Sequence, residues 1–118
     1  MNHQKGIRKL SRSTSHRIAL LRNQSIQLIN NGTLCTTKAR VKEVQKFVER
    51  IVTVARKGND FNIIRRVNQM LPYDKEAAKK LIQEIAPKYV DRPGGYTRVI
   101  PMGQRASDTA TIARLEWV

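Results

Sequence analysis

Two histidines, one cysteine and a glycine pair inside the run RPGGYTR, Arg92 to Arg98, are the residues of this 118-residue chain that invite a chemical reading. Histidine acid–base chemistry needs a partner that orients the ring or shares its proton, and a metal site needs ligands at fixed spacing. His3 and His16 have neither, because no Asp or Glu precedes Glu43 and the two histidines do not stand at ligand spacing. Cys35, the only cysteine, cannot form an intramolecular disulfide or a cysteine-based zinc site, and it reads as a small, half-buried strand residue. The nine acids are dispersed; several serve as helix caps or as helical-spacing partners of bases, Glu43 with Lys46 and Glu84 with Lys88. No paired-carboxylate site results. RPGGYTR lacks the Gly-x-x-x-x-Gly-Lys spacing and opens no helix, so it is not a nucleotide cradle. It reads as a turn in which Gly94 or Gly95 takes positive φ, leading into a strand at Tyr96. Catalysis, a metal and a cofactor are therefore not expected.

Charge carries the positive signal. Lys and Arg number 23 against 9 Asp and Glu, a formal net charge of +14 with a pI near 10.8. An excess of this size points to a polyanionic partner. It is also uneven: Lys5, Arg8, Lys9, Arg12, Arg17, Arg22, Lys38, Arg40 and Lys42 all precede the first acid. A solvated face mixes both signs, and this stretch does not, so the N-terminal third is read as the polyanion-facing end. A membrane surface needs bulky apolar residues opposite the bases. The arm offers only Ile7 and Leu10, so no membrane partner is expected. A removable organellar presequence shares the acid-free, Arg- and Ser-containing composition of residues 1 to 22, but the stretch runs directly into a helical pattern without a cleavage-like break.

The elements that must position these groups follow from periodicity. Residues 1–12 hold too few apolar groups for a core and are expected to order only when bound. Ser13, Thr14 or Ser15 caps a helix with Ile18, Leu21, Ser25, Leu28 and Ile29 on one face, closed at Asn31-Gly32. Thr33 to Thr37 reads as a short strand. Thr36 or Thr37 then caps a helix with the stripe Val41, Val44, Val48, Ile51 and Ala55, flanked by Phe47 and Val54 and ended by Gly58. A third helix, capped by Asn59 or Asp60, carries Phe61, Ile64, Val67 and Leu71 and stops at Pro72. A fourth, capped by Asp74, carries Ala78, Leu81, Ile82 and Ile85 and is expected to end at Pro87. Beyond it the period falls to two: Tyr96 to Met102 and Thr109 to Trp117 form a hairpin, with the Leu34 strand as its third partner. The expected fold class is α+β, a small sheet of about three strands packed on one side against roughly four helices. Residues 1–12 form the basic extension and residues 13–118 a single compact domain.

Basic residues mixed with Ser, Thr, Asn and Gln suit irregular RNA grooves, and the low aromatic content argues against a base-stacking platform. In that setting His3 and His16 read as RNA-contacting or capping groups. Gly94 and Gly95 leave backbone amides open to a phosphate, with Arg92 and Arg98 beside them. Two other readings stand: a DNA-binding regulator built on the two basic N-terminal helices, and a small nuclease using His16.

The residues also carry a resemblance. His3, Lys5, Arg8-Lys9-Leu10, Arg12, Ser15-His16-Arg17 and Ala19-Leu20-Leu21-Arg22-Asn23 resemble the opening of the bacterial-type large-subunit ribosomal proteins of family seventeen. Thr36-Thr37 followed by Ala39, Lys42 and Glu43 is similar to that family's strand-to-helix junction. Ile85-Ala86-Pro87, Tyr89, Arg92 and Gly94-Gly95-Tyr96-Thr97-Arg98 match its C-terminal signature. The resemblance spans essentially the whole chain. It implies a structural protein of the ribosome, not a homo-oligomer, that binds large-subunit ribosomal RNA beside other ribosomal proteins. It further implies a seat on the solvent side near the nascent-peptide tunnel exit; a cytoplasmic ribosome is expected, with an organellar ribosome as the less favoured alternative. It adds Ser15, Asn23, Thr36, Tyr96 and Arg105 to the expected RNA contacts, which already include the bases of the N-terminal third, Lys38 among them. Asn2 and Gln4 stand where the family is commonly basic, and Ala106-Ser107 where relatives often have a base and a glycine; Asn2 and Gln4 are left out of the contact set.

Overall fold

The computed structural model describes residues 14–58 and 60–118. The expected arm, the Ser13 cap and the Asn59 cap lie outside them. The elements run α1 (Thr14–Asn31), β1 (Thr33–Thr37), α2 (Lys38–Ala55), α3 (Phe61–Met70), α4 (Lys75–Lys80), β2 (Thr97–Gln104) and β3 (Thr111–Trp117). Four helices and a three-stranded antiparallel sheet make this an α+β fold, with strand order β1-β3-β2.

Helix α2 is the centre of the molecule. Val41, Val44, Val48, Ile51, Val52 and Ala55 are buried on it, and it packs against all three strands as well as α1 and α3. Val52 widens the expected stripe, as a helix covered on two sides requires. Helix α1 joins this core through the buried Leu28 and Ile29, with Leu21 and Ile26 packed against it partly buried. Ile18, expected at a core position, is 40% exposed, so α1 begins clear of the packed body. Gly32 adopts φ +83° and its amide donates to the Leu28 carbonyl at 2.8 Å, ending α1 and turning the chain into β1.

Helix α4 begins on Asp74, whose Oδ1 accepts from the amides of Glu76 at 3.0 Å and Ala77 at 3.2 Å. The chain does not leave the helical path at Pro87. It widens to a π turn over Leu81–Ile85 and tightens to a 3-10 turn over Ala86–Tyr89, with Pro87 in the first positions of that turn. Proline is tolerated there because a first-turn amide has no intrahelical acceptor to lose. The change of pitch also removes the expected Glu84–Lys88 pairing: no ion pair forms between them, whereas Lys46 and Glu43, on regular helix, lie 3.6 Å apart.

Helices cover one face of the sheet. Leu34, Ala113 and Leu115 point into the core, and the register aligns Thr33, Glu116 and Arg98, then Cys35, Arg114 and Ile100, on the other face. Cys35 is therefore exposed, not half-buried, since among the described residues no helix covers the outer face. Pro101 lies on the edge strand β2, which bulges between Pro101 and Gly103, consistent with proline's missing donor.

Candidate nucleic-acid interface

The expected contact residues separate into a set at helix starts, a turn held against α2, and the hairpin. Ser15, His16 and Arg17 stand in the opening turns of α1, and Lys38, Arg40 and Lys42 in those of α2. Neither helix has an acid in its first turn. The peptide dipoles already leave partial positive charge at a helix N-terminus, where acids are normally favoured. Bases there are locally unfavourable until an anion arrives. At α2, moreover, Thr37 occupies the capping position yet its side chain makes no cap hydrogen bond, so the first amides keep their capacity for an anion.

Not every base projects outward. The Arg22 guanidinium lies 5.5 Å from the Tyr73 ring centroid, a cation–π contact between α1 and the α3–α4 connection, and its Nε is buried without a hydrogen-bond partner. Asn23 beside it is exposed, and Thr36 is half-buried. His3, Lys5, Arg8, Lys9 and Arg12 lie outside the described residues.

The turn in RPGGYTR is held by a polar stripe of α2 that sequence periodicity does not single out. The Arg56 Nη1 donates to the Arg92 carbonyl; Thr53 Oγ1 meets the Tyr96 hydroxyl at 3.3 Å; Thr97 Oγ1 donates to Glu49 Oε2 at 2.8 Å; and Gln45 Nε2 donates to the Thr97 carbonyl at 3.4 Å. These α2 residues recur every three or four positions, so one helix face meets the extended segment 92–97 at successive turns. The signal is present in Gln45, Glu49, Thr53 and Arg56, but nothing in local sequence says which strand such a face will meet.

Within this segment Gly95 takes φ +64° and Gly94 stays outside the left-handed region. A Cβ at either position would meet no heavy atom within 4 Å, so both backbones are open to an approaching group. Tyr96 is different. It is fully buried, with its ring centroid 5.3 Å from that of Tyr89, which removes it from the contact set and makes it a core anchor. Burial pushes the Tyr89 phenol above its ordinary value, opposed in part by nearby Arg92, and its hydroxyl donates to the Val118 carbonyl at 3.0 Å.

On the hairpin, Arg98 is exposed but paired with Glu116 at 3.0 Å, and Glu116 is also 3.8 Å from Arg114. Arg105 is committed more fully: its Nε and Nη2 donate to Asp108 at 2.9 and 2.6 Å. With the Ala110 amide, this fork holds the Asp108 carboxyl down to about 2. An anion at Arg105 must share or displace that carboxylate.

Among the described residues no group of three or more His, Cys, Asp or Glu could hold a metal ion, and no helix is long and apolar enough to cross a membrane. The geometry thus defines a class first: a small, strongly basic α+β protein in which bases stand in the acid-free first turns of α1 and α2. The family model described as ribosomal protein L17 matches residues 20–118. The chain is 51% identical to the large ribosomal subunit protein bL17 of Sulfurimonas denitrificans over the full length of both chains. It is 50% identical to that of Campylobacter lari and 45% to that of Campylobacter hominis, covering all of this chain and 99% and 98% of those relatives. The chain belongs to the ribosomal protein L17 family of bacterial-type large-subunit ribosomal proteins, and its role is structural, not enzymatic.

Proposed function

We propose that the chain binds large-subunit ribosomal RNA through its N-terminal third, with the starts of α1 and α2 presenting cations and amides to phosphates. The observation that carries this is the pairing of bases with acid-free first turns at both helices. Residues 1–12 are proposed to act as a basic arm beside the compact domain 13–118, extending the same field. Arg92, Gly94, Gly95 and Arg98 form a second, smaller contact, supported by the open backbone of the glycine pair. The resemblance of the three sequence motifs supports a seat on the solvent side of the subunit near the nascent-peptide tunnel exit, beside other ribosomal proteins in a bacterial cytoplasm. A DNA-binding regulator that used α1 and α2 as a helix-turn-helix lacks the tight turn that motif needs, because β1 lies between the two helices and pairs with β3.

Filter binding of a large-subunit RNA fragment over a salt series tests the proposal. About five phosphates engaged by the arm give a log–log slope on the order of −4. Removing residues 1–12 flattens the slope, and Lys38→Ala with Arg40→Ala and Lys42→Ala flattens it further. An unchanged affinity and slope after both changes refutes the proposal.

A further inference from the structure

The apolar stripe of α3 leaves the core halfway along the helix. Val67 and Leu71 are fully buried, whereas Ile64 is 37% exposed and Phe61 72%. A large apolar side chain left in water forgoes the favourable free energy of burial. Beside this exposed half a cleft of about 250 Å³ opens between α3 and α4, lined by Ile64, Asn68, Lys75, Lys79, Ile82 and Gln83. Ile64 and Ile82 supply its apolar surface, and the lining contains no acid. Lys75 and Lys79 stand one helical turn apart on its rim, and neither enters an ion pair among the described residues. The Arg65 guanidinium adds a third cation, 5.9 Å from the Phe61 ring centroid.

We propose that the α3–α4 cleft docks a protein segment bearing one large aliphatic or aromatic anchor flanked by carboxylates. The anchor fills the cleft against Ile64 and Ile82, the carboxylates meet Lys75 and Lys79, and Phe61 is covered at the edge. An apolar slot with a polar rim is the anatomy of a protein-recognition hot spot. RNA fits less well: phosphates would reach the two lysines but leave Ile64 wet. A basic segment is repelled by the same rim. None of these residues belongs to the RNA-facing set, so the inference stands or falls apart from that reading.

The test titrates the full, 15N-labelled chain with a synthetic peptide carrying one leucine flanked by glutamates. The same peptide with lysines for glutamates and a short RNA hairpin are the comparison ligands. Amide shifts are expected around Ile64, Asn68 and Lys79, with roughly tenfold weaker binding of the lysine peptide, as loss of two screened ion pairs allows. Lys75→Glu with Lys79→Glu reverses that preference, and Phe61→Ser weakens the acidic peptide while leaving the thermal midpoint in place, because the ring is already exposed. No shift at these residues, an equal response to both peptides, or a stronger response to the RNA hairpin overturns the proposal.

Discussion

Replacing Gly95 isolates the backbone requirement of the turn that leads into β2. Its φ of +64° lies in the left-handed region, and a Cβ there would meet no heavy atom within 4 Å. Gly95→Ala therefore introduces backbone strain without a steric clash. Holding an L-residue in this region costs about 1–2 kcal/mol. Restricting the unfolded chain returns about 0.4–1 kcal/mol. The net loss is about 1 kcal/mol, a fall of roughly 4 °C in the thermal midpoint of a domain this size. Gly95→Asn, which tolerates the left-handed region, loses less than the alanine variant. Gly95→Val loses more, since a β-branched residue fits there worst, and it disturbs the fully buried Tyr96 next to it. Equilibrium urea unfolding followed by far-UV circular dichroism, paired with thermal melts, gives the ranking. An alanine variant as stable as the parent, or an asparagine variant less stable than the alanine one, refutes the reasoning, because either result means that the backbone angle does not govern the cost of substitution.

Removal of the Asp74 carboxylate by Asp74→Ala leaves the amides of Glu76 and Ala77 without their acceptor and lowers stability by about 1 kcal/mol, read by urea denaturation. Because the folded state lowers the Asp108 carboxyl to about 2, its stabilising link to Arg105 is complete above the ordinary carboxylate range and is lost as pH falls through about 2. Carboxyl NMR should show that midpoint moving upward in Arg105→Ala, while in the parent chain the pair adds no pH dependence near neutrality.

Much of the architecture is legible because the strong signals are local. Asp74 sits just before an apolar helical run and caps α4, and Thr33 to Thr37 forms β1 at the expected residues. Pro87 looks like a terminator in the sequence because local residues do not show that α4 changes pitch and reaches it as a new first turn. Tyr96 looks like a contact because a tyrosine after two glycines suits an exposed loop as well as a core. Its burial is decided by Tyr89 and Thr53, seven and 43 positions away. Cys35 differs from its half-buried expectation because alternation gives a strand two faces without saying that only one will be covered.

By itself the sequence determined the basic, acid-free N-terminal third, the helices and strands, and the family to which the chain belongs. Those properties reside in residue type and short-range spacing. Tertiary structure alone decided that Arg22 turns onto Tyr73, that Arg105 is occupied by Asp108, and that α3 carries part of its apolar stripe into solvent. It also decided that one polar face of α2 holds the segment 92–97 in place. Charge and hydropathy are fixed residue by residue, whereas burial and pairing depend on which surfaces the folded chain brings together.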